Sequence, residues 1–335
     1  MSSTYRAAVV GLGRIGCSSR SHARPEAVLN HVAAFQGNPR IRLVGMCDTL
    51  AESRSACSSR YADVPVFESV ERMLEEARPE ILSICTPTHT HVDLVRRALS
   101  KRNLKALFVE KPLASDLCSA EELVTSAASR GTMLAVNYTR HYVEAFHQLA
   151  REIQQERIGK LLSITGAYAR GIVNNGSHWF DLAALLAGPM AGIVAVGASQ
   201  PEVDDPTPDV QLWFQNGARG YLSGMERAAY GVFDMDLAGT HGRIELRRSG
   251  REIRLYEARS SEDTEGFMTL VLVESRSADL DRALPEAVSN LVAALDQGGK
   301  PRCAGETALA ALRVSCAAVA SLRTGQPVQI GESQS

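Results

Sequence analysis

The 335 residues carry a formal net charge of −2, with 45% hydrophobic and 22% charged residues. That balance excludes a disordered chain and offers no broad electrostatic attraction to nucleic acid or an anionic membrane, so neither is an expected partner. The length suits two domains, each able to bury its own core.

In chain order, Met1–Arg6 runs straight into an apolar stretch and leaves no room for a signal peptide. No segment approaches the unbroken apolar length that spans a bilayer, so a cytoplasmic protein is expected. Ala7–Val10, Ile41–Cys47, Ile81–Cys85, Ala106–Glu110 and Met133–Asn137 are short runs rich in Val, Ile and Leu. Such runs fit parallel strands buried on both faces. Helical patterns lie between them at Glu26–Phe35, Ala51–Tyr61, Val70–Ala77, Thr90–Ser100 and Asp116–Arg130. The alternation predicts an α/β fold with a doubly wound parallel sheet.

Beyond a boundary near Asn137–Tyr142 the pattern changes. Leu162–Arg170 and Asp209–Phe214 alternate apolar and polar residues, and Asn216-Gly217 followed by Ala218–Met225 predicts a hairpin with a type I′ turn. Ile193–Ala198, Asp234–Ala238, Arg243–Leu246 and Glu252–Tyr256 are further strand candidates, and Asp281–Asp296 and Thr307–Leu322 are helical. Residues 138–335 are therefore expected to form a second α/β domain with an open, mostly antiparallel sheet, the C-terminal helix being free to pack back on the first domain at 1–137. Gln200–Pro208 reads as a surface loop, and Ser260–Gly266 as loose. The seven cysteines, Cys17, Cys47, Cys57, Cys85, Cys118, Cys303 and Cys316, never form a CxxC pair. Reduced thiols and no metal site are expected.

Gly11-Leu12-Gly13-Arg14-Ile15-Gly16 follows the first strand directly. Gly11 permits the tight turn, Gly13 lets backbone approach a pyrophosphate, and Gly16 allows close helix–strand packing. A helix following the turn would aim its free N–H groups at the phosphates. Asp48 closes the second strand, where a carboxylate accepts from ribose hydroxyls and repels a 2′-phosphate, so NAD is expected rather than NADP. The distance from Gly16 to Asp48 exceeds the usual spacing, and the excess maps to an insertion at Cys17–Glu26. Arg20, His22 and Arg24, with Arg14, fit phosphate contact or a solvated basic loop.

Thr86-Pro87, with His91 after it, Glu110-Lys111-Pro112 and Asn137-Tyr138-Thr139-Arg140 each end a strand. Gly176-Ser177-His178-Trp179-Phe180-Asp181 then opens an apolar helix. In this order and spacing the chain resembles the glucose–fructose oxidoreductase, inositol dehydrogenase and rhizopine catabolism (Gfo/Idh/MocA) family over nearly its whole length. The resemblance implies a Rossmann domain, then an α/β domain whose open sheet often mediates oligomerisation, as a homodimer or homotetramer. It implies hydride transfer between nicotinamide and a sugar-like hydroxyl carbon. On that pattern Lys111 lies beside the nicotinamide and the reacting oxygen, and His178 transfers the proton. Thr86, Pro87, Glu110 and Asn137 line the cofactor side and Arg140 the substrate side. His91 shares a strand-end loop with His89 and is in reach of the cofactor.

The chemistry agrees with those roles. A base must remove the hydroxyl proton as hydride leaves, and histidine has a suitable pKa. A strand-end lysine can stabilise the developing alkoxide. Asp181, one helical turn from His178, fits substrate contact, orientation of the imidazole or a structural role. Family members commonly carry an aspartate where this chain has Asn174, beside Asn175. Asparagine holds no charge and cannot share a proton relay, though it can hydrogen-bond a substrate hydroxyl. The expected activity is an NAD-dependent dehydrogenase of a ring secondary alcohol in a sugar, nucleotide sugar, amino sugar or polyol. The alternatives are an NAD-dependent glycosidase and a non-catalytic NAD-binding regulator.

Overall fold

The computed structural model describes residues 4–18, 24, 26–198, 204–226 and 230–331. The chain forms two compact units, Met1–Tyr142 with Asp281–Leu309, and Val143–Leu280 with Ala310–Ser335.

The first unit is built on six parallel strands, β1 (Tyr5–Val10), β2 (Ile41–Cys47), β3 (Val66–Phe67), β4 (Ile81–Ile84), β5 (Ala106–Val109) and β6 (Met133–Val136). Their order is β3-β2-β1-β4-β5-β6, so the winding reverses between β1 and β4. Ala7, Ala8, Val9, Ile81, Leu82, Leu107 and Val109 have no solvent exposure, which is why these strands read as unbroken apolar runs. The crossover helices are α1 (His31–Gln36), α2 (Ala51–Arg60), α3 (Val70–Glu76), α4 (His91–Leu99) and α5 (Leu117–Ser129). α1 is shorter than the helix expected over Glu26–Phe35. Its start is set by Asn30, whose side chain accepts from the Ala33 N–H at 2.9 Å.

The second unit holds α6 (Glu144–Gln154), α7 (Ser177–Ala187) and a nine-stranded sheet. Its strands are β7 (Leu161–Ala169), β8 (Met190–Ala198), β9 (Pro208–Phe214), β10 (Arg219–Met225), β11 (Phe233–Gly239), β12 (Gly242–Arg247), β13 (Glu252–Ser260), β14 (Met268–Ser277) and β15 (Val328–Gln329). All neighbours pair antiparallel except β7 and β10, which are parallel. The order is β14-β13-β12-β11-β7-β10-β9-β8-β15. The remaining helices are α8 (Ala283–Gln297) and α9 (Gly305–Thr324). Four elements were not read from the sequence: α6, β14 and the two-residue strands β3 and β15. α6 buries Phe146, Leu149, Ala150 and Ile153, a helical spacing that was available to read. β14 buries none of its residues, and its apolar Met268, Leu270 and Leu272 are exposed, so it lacks the apolar-in, polar-out alternation that marks the other strands of this sheet.

Several expectations are corrected. β9 and β10 form the predicted hairpin, but of its turn residues only Gly217 has positive φ, at +86°. The Gly217 N–H donates to Phe214 O at 3.0 Å and the Phe214 N–H to Ala218 O at 2.9 Å. The link is therefore a three-residue loop with a glycine bulge, not a type I′ turn. Cys17 and Cys57 are joined in a disulfide rather than reduced, their Cα atoms 6.6 Å apart. Their 40-residue separation gave no sequence hint that the glycine turn and α2 bring them together. α9 does reach bilayer-spanning length, at 20 residues with mean hydropathy 1.2 over its most apolar 18-residue window, but half of that window is buried inside the protein. Ser321 on α9 is buried and accepts from the Ala195 N–H at 3.0 Å, as befits a core helix.

Candidate active site

The first unit gathers its site residues at the C-terminal ends of its strands, around the point where the winding reverses. Gly11 leaves β1 with φ +87°, and a Cβ there would lie 2.7 Å from the Cys85 backbone. At Gly16 a Cβ would lie 1.8 Å from Gly11 O, so both glycines are steric necessities. Among the described residues no atom lies within 4 Å of a Cβ position on Gly13, leaving room for a ligand to approach backbone. Arg14, exposed, and Ile15, half-buried, belong to a five-residue π-turn, Arg14–Ser18, which stands directly after the glycine turn where a helix was expected to follow. The Cys17 and Ser18 N–H groups close that turn on Gly13 O. Of the basic insertion, Arg20 and His22 lie outside the described residues. Arg24 forms an ion pair with Asp281 at 3.1 Å, which ties it to protein rather than leaving it for phosphate.

Asp48 is anchored through both carboxylate oxygens, which accept from the Leu12 N–H at 2.7 Å and the Leu50 N–H at 2.8 Å. The acceptor for a ribose is thus tied directly to the glycine turn. Arg54 Nη1 donates to the carbonyls of Asp48 and Thr49 at 3.0 and 2.8 Å, stiffening the same loop. A cleft of about 690 Å³ runs past Gly11, Gly13, Asp48, Leu50, Thr86 and Pro87. The open space over Gly13, the fixed Asp48 carboxylate and this cleft fit a dinucleotide.

Thr86 receives the Thr90 hydroxyl at 2.6 Å. His91 does not face the cofactor as expected. Its ring has no exposure, and its two nitrogens meet Pro112 O at 3.0 Å and Thr86 O at 2.9 Å. Burial pushes its pKa down. His91 therefore braces the end of β4 against the turn after Lys111. Lys111 itself is half-buried, as is Arg140 in the turn Thr139–Tyr142.

Beneath Lys111 lies a polar cluster that sequence reading missed. Glu110 Oε1 is 2.9 Å from His31 Nε2 and accepts from Asn137 Nδ2 at 2.6 Å. His31 Nδ1 is 2.8 Å from Ser83 Oγ. Burial works to raise the Glu110 pKa, but the His31 hydrogen bond and charge, Asn137 and the Lys111 charge outweigh it and hold the carboxyl below its ordinary value. Burial opposes the His31 charge in turn, yet the Cys85 sulfur and Glu110 raise that ring to about 10. The sequence signal was a histidine at the first position of the helix that follows a dinucleotide turn.

In the second unit, β7 ends at Ala169 and Gly171 adopts φ +93°. The π-turn Ile172–Gly176 then leads into α7, with half-buried His178 on its first turn. Asn174 is exposed on the turn and its Nδ2 reaches Arg170 O at 3.3 Å. Asn175 turns its amide back to Ala169 O at 2.8 Å, so that group braces the turn instead of facing substrate. Asp181 is buried, at 3% exposure. The loop read as plain surface is more than that. Asp205 accepts from the Val173 and Asn174 N–H groups at 2.8 and 3.0 Å, and Thr207 Oγ1 accepts from the Gly171 N–H at 3.0 Å. A Cβ on Gly171 would lie 1.9 Å from the Asp205 carboxylate, so the glycine and the clamp require each other.

Comparison with known proteins agrees with this architecture. Residues 5–138 match an oxidoreductase family described by its NAD-binding Rossmann fold, and residues 151–330 match the C-terminal alpha/beta domain of the same family. Inositol 2-dehydrogenase of Rhizobium meliloti is 25% identical over 98% of this chain and 99% of its own. The scyllo-inositol 2-dehydrogenase (NAD(+)) of Bacillus subtilis is 26% identical over 98% and 97%. The WlbA dehydrogenase of Bordetella pertussis, solved with NADH and UDP-GlcNAcA, has the same fold. It superposes with a TM-score of 0.79 at 19% identity, covering 98% of this chain and 99% of its own. The chain therefore belongs to the Gfo/Idh/MocA family and is an NAD-binding oxidoreductase.

Proposed function

We propose that the protein oxidises a ring secondary alcohol of a sugar-like molecule to a ketone, or runs the reverse reduction, with Lys111 and His178 as its catalytic groups. The observation that carries this reading is the placement of Lys111. It stands on the same crescent of strand ends as Gly11, Asp48, Thr86 and Asn137, one residue from a carboxylate locked in place. NAD supplies the hydride acceptor when bound. Lys111 donates a hydrogen bond to the substrate oxygen and stabilises the negative charge that grows there. His178 takes the hydroxyl proton on an imidazole nitrogen and returns it in the reverse direction. Asn174 and Arg140 supply polar contacts to the substrate, and Asp181 holds the helix turn beneath His178. The Asp48 carboxylate disfavours a 2′-phosphate and so favours NAD over NADP.

The test is a screen of polyols, sugars, sugar phosphates and nucleotide sugars for NADH formation, run in parallel with NADP. Turnover with NAD that is lost in Lys111→Ala supports the reading. Tight NADH binding with no turnover across the panel would favour a regulator instead. We further propose that a second copy of the chain covers the open sheet, which leaves Leu162, Tyr221, Met268, Leu270 and Leu272 more than two-fifths exposed. Light scattering that gives a monomer at micromolar concentration overturns that assembly.

A further inference from the structure

The Cys17–Cys57 disulfide ties together two segments that line the cleft, the glycine turn and the chain that follows Asp48. Cys17 belongs to the π-turn after the glycine motif, and its N–H donates to Gly13 O at 3.0 Å. Cys57 lies on α2, the helix that begins just beyond Asp48, Thr49 and Leu50. Of the ten residues of α2, all of them described, only Cys57 is buried. Leu50 gives the helix no side-chain cap, and its sequence has no apolar stripe. A helix this short keeps its place through tertiary packing, so α2 depends on what fixes Cys57. Arg54 stands one turn before Cys57 and donates from Nη1 to the Asp48 and Thr49 carbonyls. The Asp48 carboxylate in turn accepts from the Leu12 N–H, inside the glycine motif. The segment is thus closed on the glycine turn twice, by a hydrogen bond at Asp48 and by a covalent bond at Cys57.

We propose that this disulfide is a redox switch on dinucleotide affinity. Oxidised, it holds α2 and the Asp48 loop against the glycine turn; reduced, it frees α2, and the cleft binds NAD more weakly. The proposal rests on the reading that Gly13 and Asp48 hold the dinucleotide. The reductant is a dithiol. One of its thiolates attacks one sulfur of the bridge and the other bridge sulfur leaves, taking up a proton. The second thiol of the reductant then displaces the mixed disulfide. Two electrons and two protons pass to Cys17 and Cys57, and the reductant departs as its own disulfide. The reverse exchange restores the bridge. Both cysteines are only 2% exposed, so attack requires α2 to lift from its seat. Linkage is reciprocal: if oxidation tightens the dinucleotide, the dinucleotide must favour the oxidised bridge by the same factor.

The experiment uses the full chain, oxidised with oxidised dithiothreitol or reduced with dithiothreitol, and follows the Cys17–Cys57 bridge by peptide mass spectrometry. Binding of NADH and of ADP-ribose is measured by calorimetry in both states. Reduction should weaken both ligands at least about fivefold, the low end of ordinary coupling between two sites. ADP-ribose lacks the nicotinamide, so an equal loss for both ligands assigns the effect to the glycine turn and Asp48. Saturating ADP-ribose should shift the exchange equilibrium with dithiothreitol toward the bridge by the same factor. Cys57→Ser should bind both ligands as the reduced wild type does and ignore the reductant. Equal affinities in the two states, or no Cys17–Cys57 bridge after oxidation, overturn the switch. A reduced chain that is unfolded at the assay temperature also overturns it, since the bridge would then serve stability alone. Asp48→Ala keeps the two readings apart. If it weakens ADP-ribose while reduction does not, only the switch falls; if it binds ADP-ribose at full strength, the cofactor-site reading falls as well.

Discussion

In the first unit five of the proposed site residues follow buried strands: Gly11 after β1, Asp48 after β2, Thr86 after β4, Lys111 after β5, Asn137 after β6. Strand ends of a parallel sheet are fixed by the ladder beside them, so these side chains inherit their positions from the core. In the second unit Asn174 and His178 follow a glycine with positive φ and a single π-turn. That turn is held by side chains from a loop about thirty residues away, through Asp205 and Thr207. One half of the proposed site is therefore set by regular structure and the other by a clamp, and mutations should act differently on the two.

The largest effect should come from the proposed catalytic pair. Lys111→Ala should lower kcat by about 10²–10³-fold, as loss of one oxyanion donor does. His178→Ala should cost roughly 10²–10⁴-fold and remove the acidic limb of the pH–rate profile, because only the neutral ring accepts a proton. NADH affinity should barely move in either variant. An acidic limb that survives His178→Ala and disappears with Lys111→Ala would exchange their roles.

Next in size is the buried ion pair. Glu110→Ala strands the His31 charge in the core and should destabilise the first unit by about 3–5 kcal/mol, read by thermal melting. The pH dependence has a definite sign. His31 is raised from 6.5 to about 10, so its contribution is complete below pH 6.5 and fades as pH rises through about 10. Glu110 is lowered from 4.5, so its contribution is complete above that pH and fades as pH falls through its folded value. Melting temperature should drop between pH 6.5 and 10 in the wild type and drop less in His31→Gln. Equal alkaline losses in both proteins would remove the pair as the cause.

The strand-end half was largely legible because buried parallel strands leave continuous apolar runs, and the polar residue ending each run marks a strand terminus. Asp48 and Lys111 were readable as strand ends in that way and Gly11 from its glycine motif, the role of Lys111 coming from the family resemblance alone. His31 was not, since nothing in its spacing shows that α1 turns it onto Glu110 across 79 residues. His91 was misread for the opposite reason. Its position in a strand-end loop suggested cofactor contact, but position does not tell whether a ring faces in or out. On the clamped half, Gly176 to Asp181 was readable as a helix start, while Asp205 sat in an acidic, proline-rich stretch that resembles any solvated loop.

The clamp itself gives a smaller effect. Asp205→Ala removes two charge-assisted bonds to backbone N–H groups; one such bond is worth about 1.5–3 kcal/mol, and because the bond to Asn174 is solvent-exposed the loss should stay near the worth of one. The loss should fall on kcat and on the melting of the second unit, with NADH affinity unchanged. Gly171→Ala should act in the same direction, since its methyl group meets the Asp205 carboxylate. A change in NADH affinity without a change in kcat would show that the clamp does not serve His178.

The smallest effect should separate the two adjacent asparagines on the clamped turn. Asn174 is exposed and bonds weakly to Arg170 O at 3.3 Å, whereas Asn175 commits its amide to Ala169 O at 2.8 Å. A neutral hydrogen bond is worth about 0.5–1.5 kcal/mol net. Asn174→Ala should therefore raise the KM for the alcohol by about tenfold at most, leaving kcat, the acidic limb and the melting temperature in place. Asn175→Ala should lower the melting temperature slightly and reduce kcat by loosening the turn under His178, with the KM for the alcohol little changed. Asn174→Asp sharpens the point, because it places a charge at the position where the family resemblance leads one to expect an aspartate. If the amide serves only to bind a hydroxyl, Asn174→Asp should shift the acidic limb without raising kcat. Loss of that limb in Asn174→Ala would instead place this side chain in the proton path, and the division between a binding asparagine and a proton-transferring histidine would fall.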